Sequence, residues 1–151
     1  KDGLFGGTPR AVMAILKHYG ISVEGKHAVI IGRSNVIGKP VAMMLMQKNA
    51  TVTICHSRTK NLTEITQQAD ILVTAVGEAG WVTADMVKPG AIVLDVGINR
   101  IHGKTVGDVD YENVFPVASA VTPVPGGVGS VTTTMIIESI VKAGEHAAGI
   151  K

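Results

Sequence analysis

A glycine-rich segment over residues 32–38, GRSNVIG, is the first stretch whose residue types suggest a binding function. It follows an apolar run and precedes a helical pattern, so backbone N–H groups at a helix N-terminus would point into it. Such a turn favours the pyrophosphate of a dinucleotide. The spacing departs from GxGxxG, because Ser34 replaces the second glycine and Gly38 comes one residue late. The position of the segment therefore carries the prediction, and a plain strand-to-helix turn is the alternative.

The end of the second apolar run predicts which dinucleotide would bind. A domain specific for NAD usually places a carboxylate there, which holds the ribose hydroxyls. This chain instead has His56-Ser57-Arg58-Thr59, in which a hydroxyl and a guanidinium suit a 2′-phosphate. Arg33 would add a second positive charge from the first loop. These residues indicate NADP as the cofactor, and a solvated loop with an exposed arginine is the alternative.

Three further segments have small residues where a cofactor would cross the strand ends. Residues 74–77 (TAVG) and 95–99 (DVGIN) each end an apolar run, and glycine there would let the backbone approach a flat ring. Residues 123–129 (PVPGGVG) combine two prolines with three glycines, which is typical of a loop with a defined backbone shape. Ordinary strand-to-loop glycines and a plain chain reversal are the alternatives.

Composition and the remaining motifs argue against several other classes of protein. The histidines show no metal-ligand spacing, and no GxSxG, HExxH or Walker A pattern is present, so no metal site is expected. A net charge of +2 and 3% aromatic residues argue against a nucleic-acid partner. No apolar run is long enough to cross a membrane. The single cysteine, Cys55, excludes an internal disulfide and fits a cytoplasmic location.

Apolar runs of strand length alternate with helical patterns along the 151 residues, of which 46% are apolar. The alternation predicts one α/β domain of Rossmann-like type, a doubly wound parallel sheet with helices on both faces. Such sheets bind ligands at the carboxyl ends of their strands. We expect strands over 27–32, 51–56, 71–77, 91–97 and 120–124, helices over 8–20, 38–49, 60–69 and 131–147, a short helix or turn over 83–87, and a loop containing Gly103 and Gly107.

The first and last helical patterns lie outside this alternation of strands and helices. We therefore predict a helical segment over 1–22, a nucleotide-binding domain over 23–130 and a C-terminal helix over 131–151. The apolar faces of the two outer helices would be either exposed or buried in a partner. Those faces comprise Leu16 and Tyr19 on the first helix, and Ile136, Ile137 and Ile140 on the last.

Six segments, in order along the chain, carry a resemblance to one enzyme family. They are AVIIGRSNVIGKPVAMML, TVTICHSRT, ADILVTAVG, DMVKPGAIVLDVGIN, VGDVD and TPVPGGVGSVT. The chain resembles the NADP-binding domain and terminal helix of the bifunctional methylenetetrahydrofolate dehydrogenase/methenyltetrahydrofolate cyclohydrolase. The resemblance covers essentially all of this chain but only the latter part of the family's chain.

The resemblance implies a role for individual positions in four segments. The phosphate loop and the end of the second strand would hold NADP, one residue would lie beside the nicotinamide, and the last glycine loop would line the folate site. In that order the residues are Gly32, Arg33, Ser34 and Gly38; Ser57 and Arg58; Ile98; and Gly126, Gly127 and Val128.

The resemblance also implies what this chain does not contain. The family's N-terminal domain carries a tyrosine and a catalytic lysine four residues apart. Here Val23 follows Tyr19 at that spacing, and Phe115 follows Tyr111. We therefore expect no catalytic residue in this chain, a start inside a longer gene product, and the missing N-terminal catalytic domain as a partner.

By the same resemblance, the parent enzyme oxidises 5,10-methylenetetrahydrofolate to 5,10-methenyltetrahydrofolate by hydride transfer to NADP. It then hydrolyses the product to 10-formyltetrahydrofolate, a reaction of one-carbon metabolism and purine biosynthesis, and the family usually forms homodimers through this domain. One alternative is a stand-alone, non-catalytic nucleotide-binding module. Another is a different NADP enzyme of the same fold, similar to shikimate dehydrogenase, against which the PVPGGVG loop argues.

Overall fold

The computed structural model describes residues 6–150, and a parallel β-sheet lies at their centre. The strands among these residues are β1 (His27–Ile31), β2 (Thr51–Cys55), β3 (Ile71–Thr74), β4 (Ile92–Asp95), β5 (Asn99–Ile101), β6 (Lys104–Val106) and β7 (Ala120–Val121). The sheet has the order β2-β1-β3-β4-β7, and each neighbouring pair is parallel. Strands β5 and β6 form a separate antiparallel hairpin.

Helices cover both faces of the sheet. Side chains alternate between the faces, so that Ala28 and Ile30 of β1 join one core cluster while Val29 and Ile31 join the other. Burial on both sides explains why these strands are nearly continuous apolar runs. One face carries α1 (Gly7–His18), α2 (Gly38–Met46) and α5 (Val128–Ala147); the other carries α3 (Leu62–Thr66), α4 (Tyr111–Val114) and a 3-10 turn (Ala84–Met86).

The sheet and its two helical layers confirm the predicted doubly wound α/β fold. The order of the five sheet strands reverses between β1 and β3, because the chain first moves outward to β2 and then returns past β1. In open sheets of this kind, the crevice at such a reversal, beyond the carboxyl ends of the strands, is where ligands bind. The fold therefore places the loops after β1 and β3 at the centre of the candidate site.

Several elements differ from the sequence-based prediction. Strand β3 ends at Thr74 instead of residue 77, and the amides of Val76 and Gly77 bond to a carboxylate rather than to a neighbouring strand. The region expected as a loop contains the β5–β6 hairpin and α4. Helix α5 begins at Val128, three residues before the predicted start, so the end of the glycine-rich loop is already helical.

Helix α1 is part of the core of the described domain. Leu16 is 1% exposed and packs with α2 and the sheet, which contradicts the expectation that it would be exposed or buried by a partner. Arg10 joins α1 to α5 by donating hydrogen bonds to the carbonyl of Met135 at 3.0 Å and to the carboxylate of Glu138 at 2.5 Å. The division at residues 22 and 130 stays a prediction. The other residues predicted on these apolar faces are exposed: Tyr19, just after α1, and Ile136, Ile137 and Ile140 of α5.

Candidate nucleotide-binding site

The phosphate loop connects β1 to α2 and depends on close backbone contacts. Gly32 has a φ of +131°, and a Cβ atom at this position would lie 2.5 Å from the carbonyl oxygen of Ala75, which follows β3. A Cβ on Gly38 would lie 2.1 Å from the carbonyl oxygen of Gly32. Both positions therefore exclude larger residues, and the loop folds tightly back onto the first turn of α2. A tight loop in front of a helix N-terminus is a position at which backbone N–H groups can bind a phosphate.

Ser34 fixes the shape of the same loop. Its hydroxyl oxygen accepts hydrogen bonds from the backbone N–H groups of Ile37 at 3.0 Å and Gly38 at 3.4 Å. The hydroxyl proton can still donate to an oxygen of a ligand, because a serine hydroxyl has one donor and two acceptor sites. Arg33 is exposed beside Ser34. The loop thus combines a backbone of defined shape with one solvent-facing cation.

The turn after β2 presents the residues expected to read the 2′-phosphate. Thr59 closes this turn: its hydroxyl accepts the N–H of His56 at 2.8 Å, and its own N–H donates to the carbonyl of His56 at 2.8 Å. Ser57 and Arg58 lie between these two residues and are exposed. Cys55, at the end of the strand, is fully buried, and burial raises the pKa of its thiol.

A buried carboxylate, that of Asp95, lies at the end of β4. It accepts the N–H groups of Gly97 at 2.9 Å, Asp108 at 3.1 Å and Val109 at 2.9 Å, and the hydroxyl of Thr74 at 3.3 Å. Burial raises the pKa of Asp95, and these hydrogen bonds oppose the rise. The carboxylate therefore ties the chain around residue 108 to the ends of β3 and β4.

A second buried carboxylate, Asp108, continues this network. It accepts the N–H groups of Val76 at 2.6 Å, Gly77 at 3.0 Å and Glu78 at 3.1 Å, and the side-chain amide of Asn99 at 2.9 Å. A Cβ on Gly97 would lie 2.1 Å from its Oδ1 atom. Gly97, in the DVGIN segment, therefore cannot be replaced by a larger residue, because the Asp108 carboxylate packs directly against its backbone.

A cavity of about 290 Å³ opens between the end of β4 and the loop before α5. Ile98, 65% exposed, lines it together with Gly126 and Gly127, so three of the predicted residues meet at one place. Val128 differs, since its side chain is 1% exposed and packs in the core. Any contact between Val128 and a ligand must therefore come from its backbone.

The predicted site residues all lie beyond the carboxyl ends of the strands. Most are on the loops after β1, β2 and β4 and before α5, and Gly38 and Val128 are the first residues of α2 and α5. Sequence reasoning did not identify Asp95 and Asp108 as site-forming residues. The sequence did contain a signal for them, since each carboxylate is close to a glycine. Asp95 lies two positions before Gly97, and Asp108 directly follows Gly107. Among residues 6–150, no three His, Cys, Asp or Glu side chains form a group suited to a metal ion.

A doubly wound parallel sheet with a glycine-rich phosphate loop after its first strand defines a dinucleotide-binding domain. The profile described as tetrahydrofolate dehydrogenase/cyclohydrolase, NAD(P)-binding domain, matches residues 6–148. The chain therefore belongs to the tetrahydrofolate dehydrogenase/cyclohydrolase family. No helix in the part of the chain that the structure describes is long and apolar enough to cross a membrane.

Individual relatives agree with this assignment. The bifunctional protein FolD of Lactobacillus helveticus is 59% identical over 135 residues, which cover 89% of this chain and 48% of that protein. The crystal structure of the bifunctional enzyme FolD from Campylobacter jejuni matches with a TM-score of 0.94 and 50% identity, over 97% of this chain and 52% of that one. The chain spans about half the length of the curated relatives it matches.

One structural relative was solved with a nucleotide. The FolD structure of Trypanosoma brucei, complexed with NADP cofactor and inhibitor, has a TM-score of 0.88 and 36% identity. The match covers 94% of this chain and 51% of the Trypanosoma brucei chain. The family match favours a domain of the folate enzymes over a stand-alone nucleotide-binding module.

Proposed function

We propose that this chain binds NADP at the carboxyl edge of its sheet and is the NADP-binding part of a bifunctional folate enzyme. The observation that carries the proposal is the pairing of a tight phosphate loop with exposed cations and no carboxylate after β2. The name of the Trypanosoma brucei relative, which includes NADP, supports the choice of cofactor. The close backbone contacts of Gly32 and Gly38 hold the loop tightly in front of the α2 N-terminus, where backbone N–H groups favour a phosphate.

Two ends of the proposed site have separate tasks. The adenosine end, formed by the phosphate loop (residues 32–38) and the turn at residues 56–59, would bind the pyrophosphate and the 2′-phosphate. The nicotinamide end, formed by residues 76–78, 97–99 and 126–127, would orient the nicotinamide ring. Bound NADP would supply the hydride acceptor for oxidation of 5,10-methylenetetrahydrofolate to the 5,10-methenyl compound. The chain's own residues would hold the nicotinamide against the folate.

Hydrolysis to 10-formyltetrahydrofolate is assigned to the whole enzyme and not to this chain. The Tyr-x-x-x-Lys pair expected of the family's N-terminal domain is absent from these 151 residues. We expect the isolated chain to bind nucleotide without cyclohydrolase turnover. Within the whole enzyme, Gly126 and Gly127 would line the folate site from the cofactor side, with the backbone of Val128 beside them.

Calorimetric titration of the chain with NADP and, separately, with NAD tests the proposal. A hydrogen bond to a charged group contributes about 1.5–3 kcal/mol, so two contacts to the 2′-phosphate predict a preference for NADP of roughly a hundredfold or more. Equal affinity for the two nucleotides would refute the assignment of Arg33, Ser57 and Arg58. Absence of binding to either nucleotide would refute the nucleotide site itself.

Location and assembly complete the proposal. We propose a cytoplasmic protein that acts in one-carbon metabolism, supplies purine biosynthesis and forms a homodimer through this domain. The exposed Tyr19 and Phe115, which lie along a groove of about 890 Å³ between α1 and the β7 edge, support self-association. Light scattering during size-exclusion chromatography would measure the mass. A strictly monomeric chain at micromolar concentration would contradict the homodimer.

A further inference from the structure

The carboxylate of Asp108 is fully buried and has no cationic partner among the described residues. Burial of a charge costs several kcal/mol unless other groups compensate it. Here the compensation comes from three consecutive backbone N–H groups, those of residues 76, 77 and 78, and from the side-chain amide of Asn99. Successive N–H groups that converge in this way form a nest for an anion.

The nest belongs to the loop after β3, and the anion comes from a residue about thirty positions further along the chain. Asn99 is the first residue of β5 and directly follows the loop after β4. The Asp108 carboxylate therefore joins the loop after β3 to the start of β5, two segments that the main sheet alone leaves separate. Both segments belong to the nicotinamide end, and Ile98, which lines the cavity, directly precedes Asn99 in the chain.

The backbone at Asp108 is also held in place by hydrogen bonds. Its backbone N–H and that of Val109 donate to the carboxylate of Asp95, which is anchored at the end of β4. The space around Asp108 is also closed, because a Cβ on Gly97 would lie 2.1 Å from Oδ1. The position of the carboxylate is therefore fixed, and so are the positions of residues 76–78 and Asn99, which donate hydrogen bonds to it.

We infer that Asp108 is a positioning residue for the nicotinamide half of the cofactor, and that it acts by holding residues 76–78 and Asn99 in one arrangement. The inference rests on the proposed function, since it assigns a role within that site. Asp108 makes no hydrogen bond to the phosphate loop or to the turn after β2 within residues 6–150. Its influence should therefore stop short of the adenosine end.

The test compares NADP with 2′,5′-ADP, a probe that occupies only the adenosine end, on the 151-residue chain. Asp108→Asn replaces one acceptor oxygen by an NH₂ group that faces the N–H donors of the nest. We expect its affinity for NADP to fall at least tenfold, while its affinity for 2′,5′-ADP changes less than twofold. Asp110→Asn is the matched control, because Asp110 contacts Asn113 and lies outside the network.

Amide hydrogen exchange without any nucleotide gives an independent measurement. Asp108→Asn should accelerate exchange at residues 76–78, whereas amides of the phosphate loop should exchange as in the wild type. Asn99→Ala removes one member of the network and should produce a smaller loss of NADP affinity in the same direction. If Asp108→Asn does not fold, Asn99→Ala still tests the inference.

Each outcome bears on one of the two claims. Equal losses for NADP and 2′,5′-ADP would make Asp108 a merely structural residue, and unchanged NADP affinity would remove any role in binding. A wild-type chain that binds neither ligand would overturn the proposed function. The exchange measurement would then still decide whether Asp108 holds residues 76–78, because that measurement needs no ligand.

Discussion

At the adenosine end of the proposed site two arginine side chains are exposed, whereas at the nicotinamide end two aspartate carboxylates lie inside the protein. Arg33 and Arg58 stand on loops whose shape depends on glycine contacts and on the hydroxyls of Ser34 and Thr59. Asp95 and Asp108 are 3% and 0% exposed, and each accepts several hydrogen bonds from loop residues. The two arginines therefore face solvent at one end, and the two aspartates are buried at the other.

This difference separates selection of a ligand from the shaping of its site. An exposed cation contributes to binding and little to folding, since water solvates it in the free protein. A buried carboxylate that accepts backbone hydrogen bonds contributes to the arrangement of loops, because its loss leaves several buried donors unpaired. Substitutions of the exposed arginines should therefore lower the affinity for NADP more than the stability. Substitutions around the buried carboxylates should lower the free energy of unfolding.

The largest effect is expected from Gly97→Ala at the nicotinamide end. The new Cβ would overlap the Asp108 carboxylate, and overpacking of this kind costs about 2–3 kcal/mol. Urea unfolding would measure the loss. Gly129→Ala is the control, because its Cβ would meet only Cδ1 of Ile98, at 3.5 Å, so little destabilisation is expected. A normal stability for Gly97→Ala would show that the carboxylate can move.

The next effect is expected at the adenosine end, in binding rather than in stability. Arg33→Ala and Arg58→Ala should each weaken NADP binding by about 1.5–3 kcal/mol, or about ten- to a hundredfold. Affinity for NAD and the urea midpoint should stay near the wild-type values, and Lys60→Ala serves as the control for removal of a nearby charge. A parallel loss of NAD affinity would show that the arginines do not read the 2′-phosphate.

A smaller effect is expected for Ser34→Ala, which tests whether the phosphate loop is shaped before a ligand arrives. Removal of the hydroxyl leaves the N–H groups of Ile37 and Gly38 without this acceptor, and we expect a loss of about 1 kcal/mol in unfolding free energy. Thermal and urea unfolding would measure it. A stability equal to that of the wild type would mean that water replaces the hydroxyl without cost.

The smallest effect is expected from an ion pair at the opposite edge of the sheet. The Lys88 ammonium, at 2.6 Å, and then the N–H of His27 lower the pKa of Asp70. A lowered folded-state pKa contributes stability above the unfolded-state value, and that stability is lost as the pH falls through the folded-state value. Asp70→Asn should remove less than about 1 kcal/mol at neutral pH, because the pair is partly exposed.

Measured from pH 7 down to pH 2, the stability of Asp70→Asn should approach that of the wild type in acid. The contribution of Asp95 to stability depends on pH in the opposite direction. Burial raises the pKa of Asp95, so its contribution to stability is present in acid and is lost as the pH rises through the folded-state pKa. A variant whose deficit grows on acidification would contradict the role assigned to Asp70.

Much of the fold could be predicted because its signals are local. The apolar runs of β1, β3 and β4 are buried on both faces, and their composition shows this directly. The β5–β6 hairpin and α4 could not be predicted, since the two hairpin strands have three residues each and α4 has four. Leu16 was assigned incorrectly because an apolar helix face shows that something covers it but not what covers it.

Three features follow from the amino-acid sequence alone: the alternation of strands and helices, the tight turn after β1 and the absence of a carboxylate after β2. Each of these depends on neighbouring residues and on the backbone that they permit. The tertiary structure determined which loops meet, the burial of Val128, and the pairing of Asp108 with amides thirty residues earlier. The physical reason is the order of the strands: a buried carboxylate is stable only where the sheet brings distant N–H groups to it.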